Sequence, residues 1–130
     1  MVNNGIKLED LVRYIYQEMS NISNNAIEVK NNIKITGESG VKHQIDVYYE
    51  FEQNDIVHKV IMECKDWNKK VGKDRISVIN DIKNDIPNSI GVIVSTCGFQ
   101  SRAKELADHY WIILMEGTEV KLLSKSIKKS

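Results

Sequence analysis

Three charged residues lie inside two apolar stretches of the sequence. Asp46 interrupts one β-branched stretch, and Glu63 and Lys65 lie on either side of Cys64 in a second. A charge in such surroundings is costly unless it has a partner charge, hydrogen bonds or a bound ion. Carboxylate oxygens are the ligands that Mg²⁺ and Mn²⁺ prefer, and the sequence has no His or Cys cluster suited to zinc. The residue types therefore favour a divalent metal site with a lysine beside it.

The segment between the two stretches predicts a β-hairpin that brings the carboxylates together. Asn54-Asp55 fits a two-residue turn between runs in which apolar and polar residues alternate. A turn centred there pairs Glu50 with Lys59, and this favourable cross-strand ion pair supports the register. The same register places Asp46 opposite Glu63, with their Cβ atoms about 5 Å apart. Because like charges at that distance destabilise a sheet, a metal ion is expected to hold them together.

Two further residues are candidates for the chemistry on the same strand faces. Lys65 follows Glu63 by two positions, so it lies on the same face, where it would orient a metal-bound water or accept its proton. Gln44 precedes Asp46 by two positions and is a candidate for contact with a phosphate or with the attacking water. A solvent-facing polar role for Gln44 is equally consistent with the sequence. For the cluster as a whole, the alternative is two solvated acids with Lys65 as their salt-bridge partner.

An Asp followed by Glu-x-Lys on a hairpin resembles the PD-(D/E)xK nuclease superfamily, and most closely its Mrr-like branch of restriction endonuclease domains. The likeness runs from about residue 8 to residue 115. One departure is that Ile45, rather than Pro, precedes Asp46. Outside the motif, the segments that carry the likeness are Gly37-x-x-Gly40, Trp67, Gly91–Thr96, Gly98–Gln100 and Ala103-x-x-x-Ala107.

The resemblance implies a restriction-endonuclease-like fold and an endonuclease that uses Mg²⁺ or Mn²⁺ to hydrolyse phosphodiester bonds of DNA. In the family, the backbone carbonyl between the Glu and the Lys also binds the metal, and here that carbonyl belongs to Cys64. Relatives often carry a Glu on the first helix that completes the metal site, and Glu9 matches that position. Glu9 is equally well explained as a first-turn acid that favours the helix dipole.

Two other functions stay open on the sequence alone. One is a catalytically weak or inactive module of the same fold that binds nucleic acid or protein, and the other is an enzyme that cuts RNA. The presence of Asp46, Glu63 and Lys65 together favours catalysis, because a degenerate relative would usually have lost one of them. Since no DNA-reading module is visible, a partner protein that supplies specificity stays open. A chain this small that must cut both strands is expected to act as a homodimer.

The distribution of charge matters more than its sum. The 130 residues, expected to form a single domain, carry a formal net charge of zero, which gives little overall affinity for nucleic acid. Basic residues are concentrated between residues 65 and 75 and in a tail over about 119–130, which is either a contact with nucleic acid or a solvated terminus. The amides that open the third helix form a candidate anion site, although capping also explains the residues there. The predicted phosphate contacts are Lys69, Lys70, Lys73, Gln100 and Ser101.

Periodicity predicts the elements that position these residues, in the order α-β-β-β-α-β-α-β. This order fits an α/β fold with a mixed central sheet flanked by helices. Asp74 is the predicted N-cap of the second helix, and Pro87 lies just past its end. The interruption Asn31-Asn32 indicates a single strand or a strand with a bulge. The predicted segments are a helix over Lys7–Met19, a strand over Ala26–Thr36, the hairpin over Lys42–Lys65, a helix over Ile76–Ile86, a strand over Ile90–Ser95, a helix over Phe99–Tyr110 and a strand over Trp111–Met115.

The two cysteines favour a reduced, cytoplasmic protein. Cys64 and Cys97 lack metal-site spacing, and each lies in an apolar strand context, so both are predicted to be small buried hydrophobic residues. The side chain of Cys64 is expected to point into the core with Val60 and Met62. The sequence shows no secretory signal and no apolar run long enough to span a bilayer. The three histidines are assigned no catalytic role.

Overall fold

The computed structural model describes residues 7–22 and 27–117 of the chain. Within these residues, three helices and five strands follow one another in the predicted order. The basic tail over 119–130 and Ala26, where the first strand was expected to begin, lie outside the described residues. The elements are α1 (Leu8–Ile22), β1 (Lys30–Thr36), β2 (Lys42–Gln53), β3 (Ile56–Lys65), α2 (Lys73–Asp85), β4 (Ser89–Ser95), α3 (Ser101–Tyr110) and β5 (Ile113–Glu116).

The strands form one mixed sheet in the order β1-β2-β3-β4-β5. Its first three strands are antiparallel neighbours, whereas β4 is parallel to both β3 and β5. Parallel neighbours need crossover connections, and α2 and α3 supply them. The apolar run of β4 is buried from Gly91 to Ser95, as predicted for a strand covered on both faces. The expected α/β architecture is therefore confirmed.

The predicted hairpin forms with the predicted register. Glu50 pairs with Lys59 across β2 and β3, and Tyr48 pairs with Ile61. The turn at Asn54-Asp55 has φ angles of 54° and 63°, and positive φ at both central residues is what a type I′ hairpin turn requires. The turn chemistry therefore fixes which residues of β2 and β3 lie side by side.

Two apolar cores lie on opposite faces of the sheet. On one face, α1 packs Leu8, Val12 and Ile15 against β-strand residues that include Met62. On the other face, α2 and α3 pack over Ile61. Their buried residues follow helical spacing and are Ile76, Ile79, Ala103 and Ala107. None of the helices in the described ranges is long and apolar enough to cross a membrane.

The start of α2 differs from the prediction. Its N-cap is Gly72, not Asp74, which lies in the first turn of the helix. The reason is that Val71 forms an isolated parallel bridge with Phe99, which holds the backbone extended up to Gly72. A Cβ atom at Gly72 would lie 3.1 Å from Asp74 Oδ1, so a glycine relieves crowding there. Asp74 instead favours the helix dipole from within the first turn.

The C-terminal end of α2 is hydrogen-bonded to the turn between β1 and β2. The Asp85 carboxylate accepts hydrogen bonds from the Ser39 backbone N–H at 2.9 Å and from the Ser39 hydroxyl at 2.6 Å. His43 Nε2 lies 2.6 Å from the same carboxylate. These contacts lower the pKa of Asp85 to about 2, with the Ser39 hydroxyl as the largest cause. A Cβ atom at Gly37 would lie 2.0 Å from Asp85 Oδ2, so the turn needs a glycine for this close approach.

Candidate active site

The predicted catalytic residues line a cavity between β2, β3 and α2. The cavity has a volume of about 270 Å³, with charged side chains grouped together and an apolar wall shared between the strands and α2. Four of the predicted residues line it, together with an arginine that the sequence reasoning did not select as a site residue. The polar and charged lining residues are Gln44, Asp46, Glu63, Lys65 and Arg75, and the apolar ones are Ile45, Ile61, Met62, Val78, Ile79 and Ile82.

Asp46 lies where β2 departs from regular alternation. Ile45 packs in the core beneath α2, whereas Val47 packs in the core beneath α1, although residues two apart normally share a face. The pairs between β1 and β2 flank Asp46 and its opposite residue Asn32, which has a φ of 51°. The register is the same on both sides of Asn32, so the two strands contain the same number of residues through this irregularity, and β1 continues as one strand over Lys30–Thr36.

The β2–β3 ladder stops one pair short of the two carboxylates. Its last pair is Val47 with Met62, so Asp46 and Glu63 are not paired through their backbones as the hairpin register predicted. Beyond that pair, Asp46 Oδ2 accepts a hydrogen bond of 2.8 Å from the Cys64 backbone N–H. The side chain thus satisfies an amide that the opening of the ladder leaves without a strand partner. This bond anchors one oxygen of the Asp46 carboxylate.

Burial and charge act on Asp46 in opposite directions. Desolvation is the largest influence and raises the pKa of Asp46, and the nearby charge of Glu63 raises it further. The Cys64 N–H and the positive charges of Lys65 and Arg75 lower it, but the net direction is upward. The charged form of Asp46 is therefore destabilised in the metal-free protein, and a bound cation would reduce that destabilisation.

Glu63 has one paired and one unpaired oxygen. Oε1 accepts a hydrogen bond from Arg75 Nη2 and lies 3.6 Å from Lys65 Nζ. Oε2 is buried and has no hydrogen-bond partner among the described residues. A buried carboxylate oxygen without a partner is costly, and a cation is the partner it most favours.

These donors fit a Mg²⁺ or Mn²⁺ ion. Mg²⁺ usually binds through one or two carboxylates and completes its shell with waters and substrate phosphates. Asp46 and Glu63 provide that number, and Glu63 Oε2 provides an unsatisfied oxygen. No group of three or more His, Cys, Asp and Glu side chains suited to a metal occurs within residues 7–22 and 27–117. The side chains present thus suit a metal that shares its coordination with a substrate.

Lys65 is held between a carboxylate and an aromatic ring. Its Nζ atom lies 3.6 Å from Glu63 Oε1 and 5.2 Å from the centre of the Trp67 ring. The Lys65 side chain is 20% exposed, so the ammonium group still meets solvent. Trp67 packs against the core beneath α2 and so holds its ring beside the Lys65 ammonium group.

Cys64 points to the opposite face of the sheet, as predicted. It packs against the core that contains Val60 and Met62. Burial raises the pKa of the Cys64 thiol, and the negative charges of Asp46, Glu9 and Glu63 add to this effect. Glu9 is not among the residues that line the cavity. The metal-binding roles of Glu9 and of the Cys64 carbonyl stay predictions.

The prediction for the other cysteine is wrong. Cys97 is exposed, because it lies in the connection between β4 and α3 and not in the strand itself.

The predicted phosphate contacts do not line the cavity. Lys69 is exposed, with Nζ 5.3 Å from the centre of the Trp67 ring, and Lys70 is also exposed. Lys73 begins α2 and lines a separate cavity between α2 and α3. The remaining two residues, Gln100 and Ser101, are the N-cap and the first residue of α3. Their roles stay predictions.

Arg75 is the contact that sequence reasoning missed. It lies on α2 and reaches Glu63 across the helix–sheet interface, with a side chain that is 26% exposed. A signal was present, because Arg75 precedes Ile79 and Ile82 by four and seven positions and so continues the apolar stripe of the helix. A charge on such a stripe indicates a buried partner, but helical spacing alone does not say which one.

A family model matches most of the chain. The profile of the Mrr_cat family, described as a restriction endonuclease, matches residues 3–123. The chain belongs to the Mrr_cat restriction endonuclease family. The comparison with curated protein sequences gives no match.

Solved structures share the fold of this Mrr_cat chain. Protein VC1899 from Vibrio cholerae has a TM-score of 0.70 and 19% identity, covering 94% of this chain and 32% of its own. Can2 from Sulfobacillus thermosulfidooxidans, solved with cyclic tetra-adenylate, has a TM-score of 0.66 and 19% identity, and the match covers 92% of this chain and 35% of the Can2 chain. The MspJI restriction endonuclease, solved with a 27-mer oligonucleotide, has a TM-score of 0.52 and 18% identity, covering 88% and 26%. The sheet therefore has the restriction-endonuclease-like fold, and the chain spans about a third or less of each of these proteins.

Proposed function

We propose that this Mrr_cat domain is an endonuclease that uses Mg²⁺ or Mn²⁺ to hydrolyse phosphodiester bonds of DNA. The observation that carries the proposal is the buried Oε2 atom of Glu63, which finds no hydrogen-bond partner in the described part of the chain and lies in a cavity that also contains Asp46 and Lys65. Membership of a restriction endonuclease family supports the reaction class. The likeness in fold to MspJI, solved with an oligonucleotide, supports DNA as the substrate.

Asp46 and Glu63 would hold the metal. The hydrogen bond from the Cys64 N–H fixes Oδ2 of Asp46, which leaves the other oxygen of that carboxylate for a cation. In the same way, the hydrogen bond from Arg75 fixes Oε1 of Glu63, and Oε2 is left to bind the cation. When bound, such a metal lowers the pKa of a coordinated water and offsets charge on the phosphate. The Cys64 carbonyl and Glu9 are the proposed additional ligands.

Lys65 and Gln44 would act on the water and the phosphate. Lys65 is partly exposed beside Glu63, from where its ammonium group would orient the attacking water or contact a phosphate oxygen. Gln44 is exposed and lines the same cavity, so its amide is placed for a hydrogen bond to substrate. Contacts farther along the nucleic acid backbone are assigned to the basic and polar residues outside the cavity, which are Lys69, Lys70, Lys73, Gln100 and Ser101.

Cleavage of plasmid DNA tests this function. Supercoiled plasmid is incubated with the protein in Mg²⁺, in Mn²⁺ and in EDTA, and a single-stranded RNA is tested in parallel. We expect cleavage of the plasmid with either metal, none in EDTA, and none with Asp46→Asn. Asp108→Asn, a matched change at an exposed position of α3, should cleave as the wild type does.

The products separate the remaining alternatives. Accumulation of nicked circles would indicate single active sites, whereas direct formation of linear plasmid would support the homodimer. Cleavage of RNA alone would make the substrate RNA and overturn the assignment of DNA. A folded wild-type protein that cleaves neither substrate would overturn the catalytic proposal and leave the binding module of the same fold.

A further inference from the structure

The cavity that holds the candidate active site is electrically balanced without a metal. Asp46 and Glu63 contribute two negative charges, and Lys65 and Arg75 contribute two positive charges. Lys65 has a proposed role at the attacking water, but the chemistry described above gives none to Arg75 beyond holding Oε1. Yet Arg75 makes a direct hydrogen bond to Glu63, whereas Lys65 lies 3.6 Å from the same oxygen.

Two buried polar atoms of this cluster have no hydrogen-bond partner among the described residues. They are Glu63 Oε2, which can only accept, and Arg75 Nε, which can only donate. A metal ion alone would satisfy the acceptor and leave the donor unpaired. A phosphate oxygen alone would satisfy the donor and leave the acceptor unpaired. The two atoms together therefore match a metal ion with an oxyanion bound beside it.

The balance of charge leads to the same pairing. A divalent cation entering the neutral cavity would leave two uncompensated positive charges beside Lys65 and Arg75. Charges at a few ångströms in a partly buried site repel strongly, so the metal alone is held weakly. A phosphodiester group brings a negative charge and removes part of that excess. Each ligand thus improves the site for the other.

We propose that Arg75 couples metal binding to phosphodiester binding. It neutralises Glu63 while the metal is absent, and it donates its Nε–H to a phosphate oxygen once the metal and the nucleic acid are both present. This inference rests on the proposed function and assigns the regulation of that same site. By linkage, nucleic acid must raise the affinity for metal by the same factor as metal raises the affinity for nucleic acid.

Calorimetric titration of the full chain with Ca²⁺, with and without a short DNA duplex, tests the coupling. Ca²⁺ takes the same oxygen ligands, and a denaturing gel run after each titration shows whether the duplex is intact. For the wild type, we expect the duplex to raise the Ca²⁺ affinity about tenfold, within the usual range for coupled sites. Arg75→Met removes the charge and all the N–H donors of the side chain while keeping an unbranched side chain.

The variant is expected to bind Ca²⁺ more tightly without DNA and to gain less Ca²⁺ affinity when DNA is added. Without DNA, Arg75→Met should bind Ca²⁺ about tenfold more tightly than the wild type, because one repelling charge is gone. With DNA, its affinity should rise by a smaller factor than that of the wild type, because the donor to the phosphate is also gone. Arg75→Lys keeps the charge and should bind Ca²⁺ alone as the wild type does. Arg13→Met, the same change on α1, should leave both titrations unchanged.

The outcomes separate this inference from the function on which it rests. If Arg75→Met binds Ca²⁺ alone no more tightly than the wild type, or retains the full effect of DNA, Arg75 is only a structural partner of Glu63 and the inference is wrong. If the wild type cleaves plasmid but shows no coupling, the inference fails while the proposed function stands. If the wild type binds neither Ca²⁺ nor Mn²⁺ and cleaves nothing, both fail. Should Arg75→Met not fold, Arg75→Gln, which removes the charge but keeps an amide donor, tests the tighter Ca²⁺ binding without DNA.

Discussion

Two substitutions of Asp46 should have different effects on the stability of the metal-free protein. Both remove a charge that burial and the nearby Glu63 make unfavourable, so both relieve an electrostatic cost. Asn keeps an oxygen that can accept the hydrogen bond from the Cys64 N–H, whereas Ala leaves that amide without its partner. Leaving a buried donor unsatisfied costs about 1–3 kcal/mol.

The expected difference is large enough to measure. For a chain of this size, 1 kcal/mol shifts the melting temperature by roughly 3–5 °C, so a cost of about 1–3 kcal/mol should make Asp46→Ala melt about 3–15 °C below Asp46→Asn. Asp46→Asn itself should melt at or above the wild type when no metal is present. Adding Mn²⁺ at about 100 times its dissociation constant should stabilise the wild type by about 2.7 kcal/mol and neither variant.

The pH dependence provides an independent check on the same residue. The pKa of Asp46 is raised in the folded state, so folding favours its protonated form. That contribution to stability is fully present below the unfolded value of 3.8 and is lost as the pH rises through the folded pKa. The metal-free wild type should therefore gain stability relative to Asp46→Asn as the pH falls from 7. Thermal melts of the wild type and Asp46→Asn across pH measure this dependence. Equal melting temperatures for Asp46→Asn and Asp46→Ala would show that the hydrogen bond to the Cys64 N–H does not stabilise the protein.

Three other outcomes follow from the described contacts. The Asp85 carboxylate, whose pKa is lowered to about 2, stabilises the wild type above about pH 4, and this contribution is lost between about pH 4 and pH 2. Urea unfolding of Asp85→Ala should lack that pH dependence. Cys64→Ser should lower the free energy of unfolding by about 1–3 kcal/mol, because it buries a hydroxyl, and should leave Ca²⁺ binding intact, because the side chain faces away from the cavity. In the native protein, a thiol reagent should label the exposed Cys97 quickly and Cys64 slowly. Lys65→Ala should lower turnover by about 100-fold or more in single-turnover cleavage while Ca²⁺ binding is retained, and equal turnover would remove Lys65 from the chemistry.

The sequence was most informative where local rules determine the structure. The Asn54-Asp55 turn and the alternation beside it were enough to place Glu50 opposite Lys59, because loop length and turn type set the register of a hairpin. The order of helices and strands followed from periodicity in the same way. Through the register, Asp46 and Glu63 could be placed on neighbouring strands from sequence alone.

The features that the sequence did not predict all depend on contacts between distant segments. The departure of β2 from alternation at Asp46 involves Asn32 on the neighbouring strand, and neither residue type requires it. The hydrogen bond of Arg75 to Glu63 depends on how α2 crosses the sheet. The fastening of Asp85 to the β1–β2 turn joins residues 46 positions apart in the chain. Local patterns show that a charged residue has an unusual position, but tertiary packing determines its partner.

The most direct test of the metal site is anomalous diffraction from crystals of the protein soaked in MnCl₂. We expect one strong manganese peak in the cavity, about 2.0–2.2 Å from Glu63 Oε2 and from an oxygen of Asp46. The peak should disappear in crystals of Asp46→Asn soaked in the same way. A fully ordered cavity without a manganese peak would contradict the assignment of Asp46 and Glu63 as metal ligands, and so would manganese that binds only elsewhere on the protein.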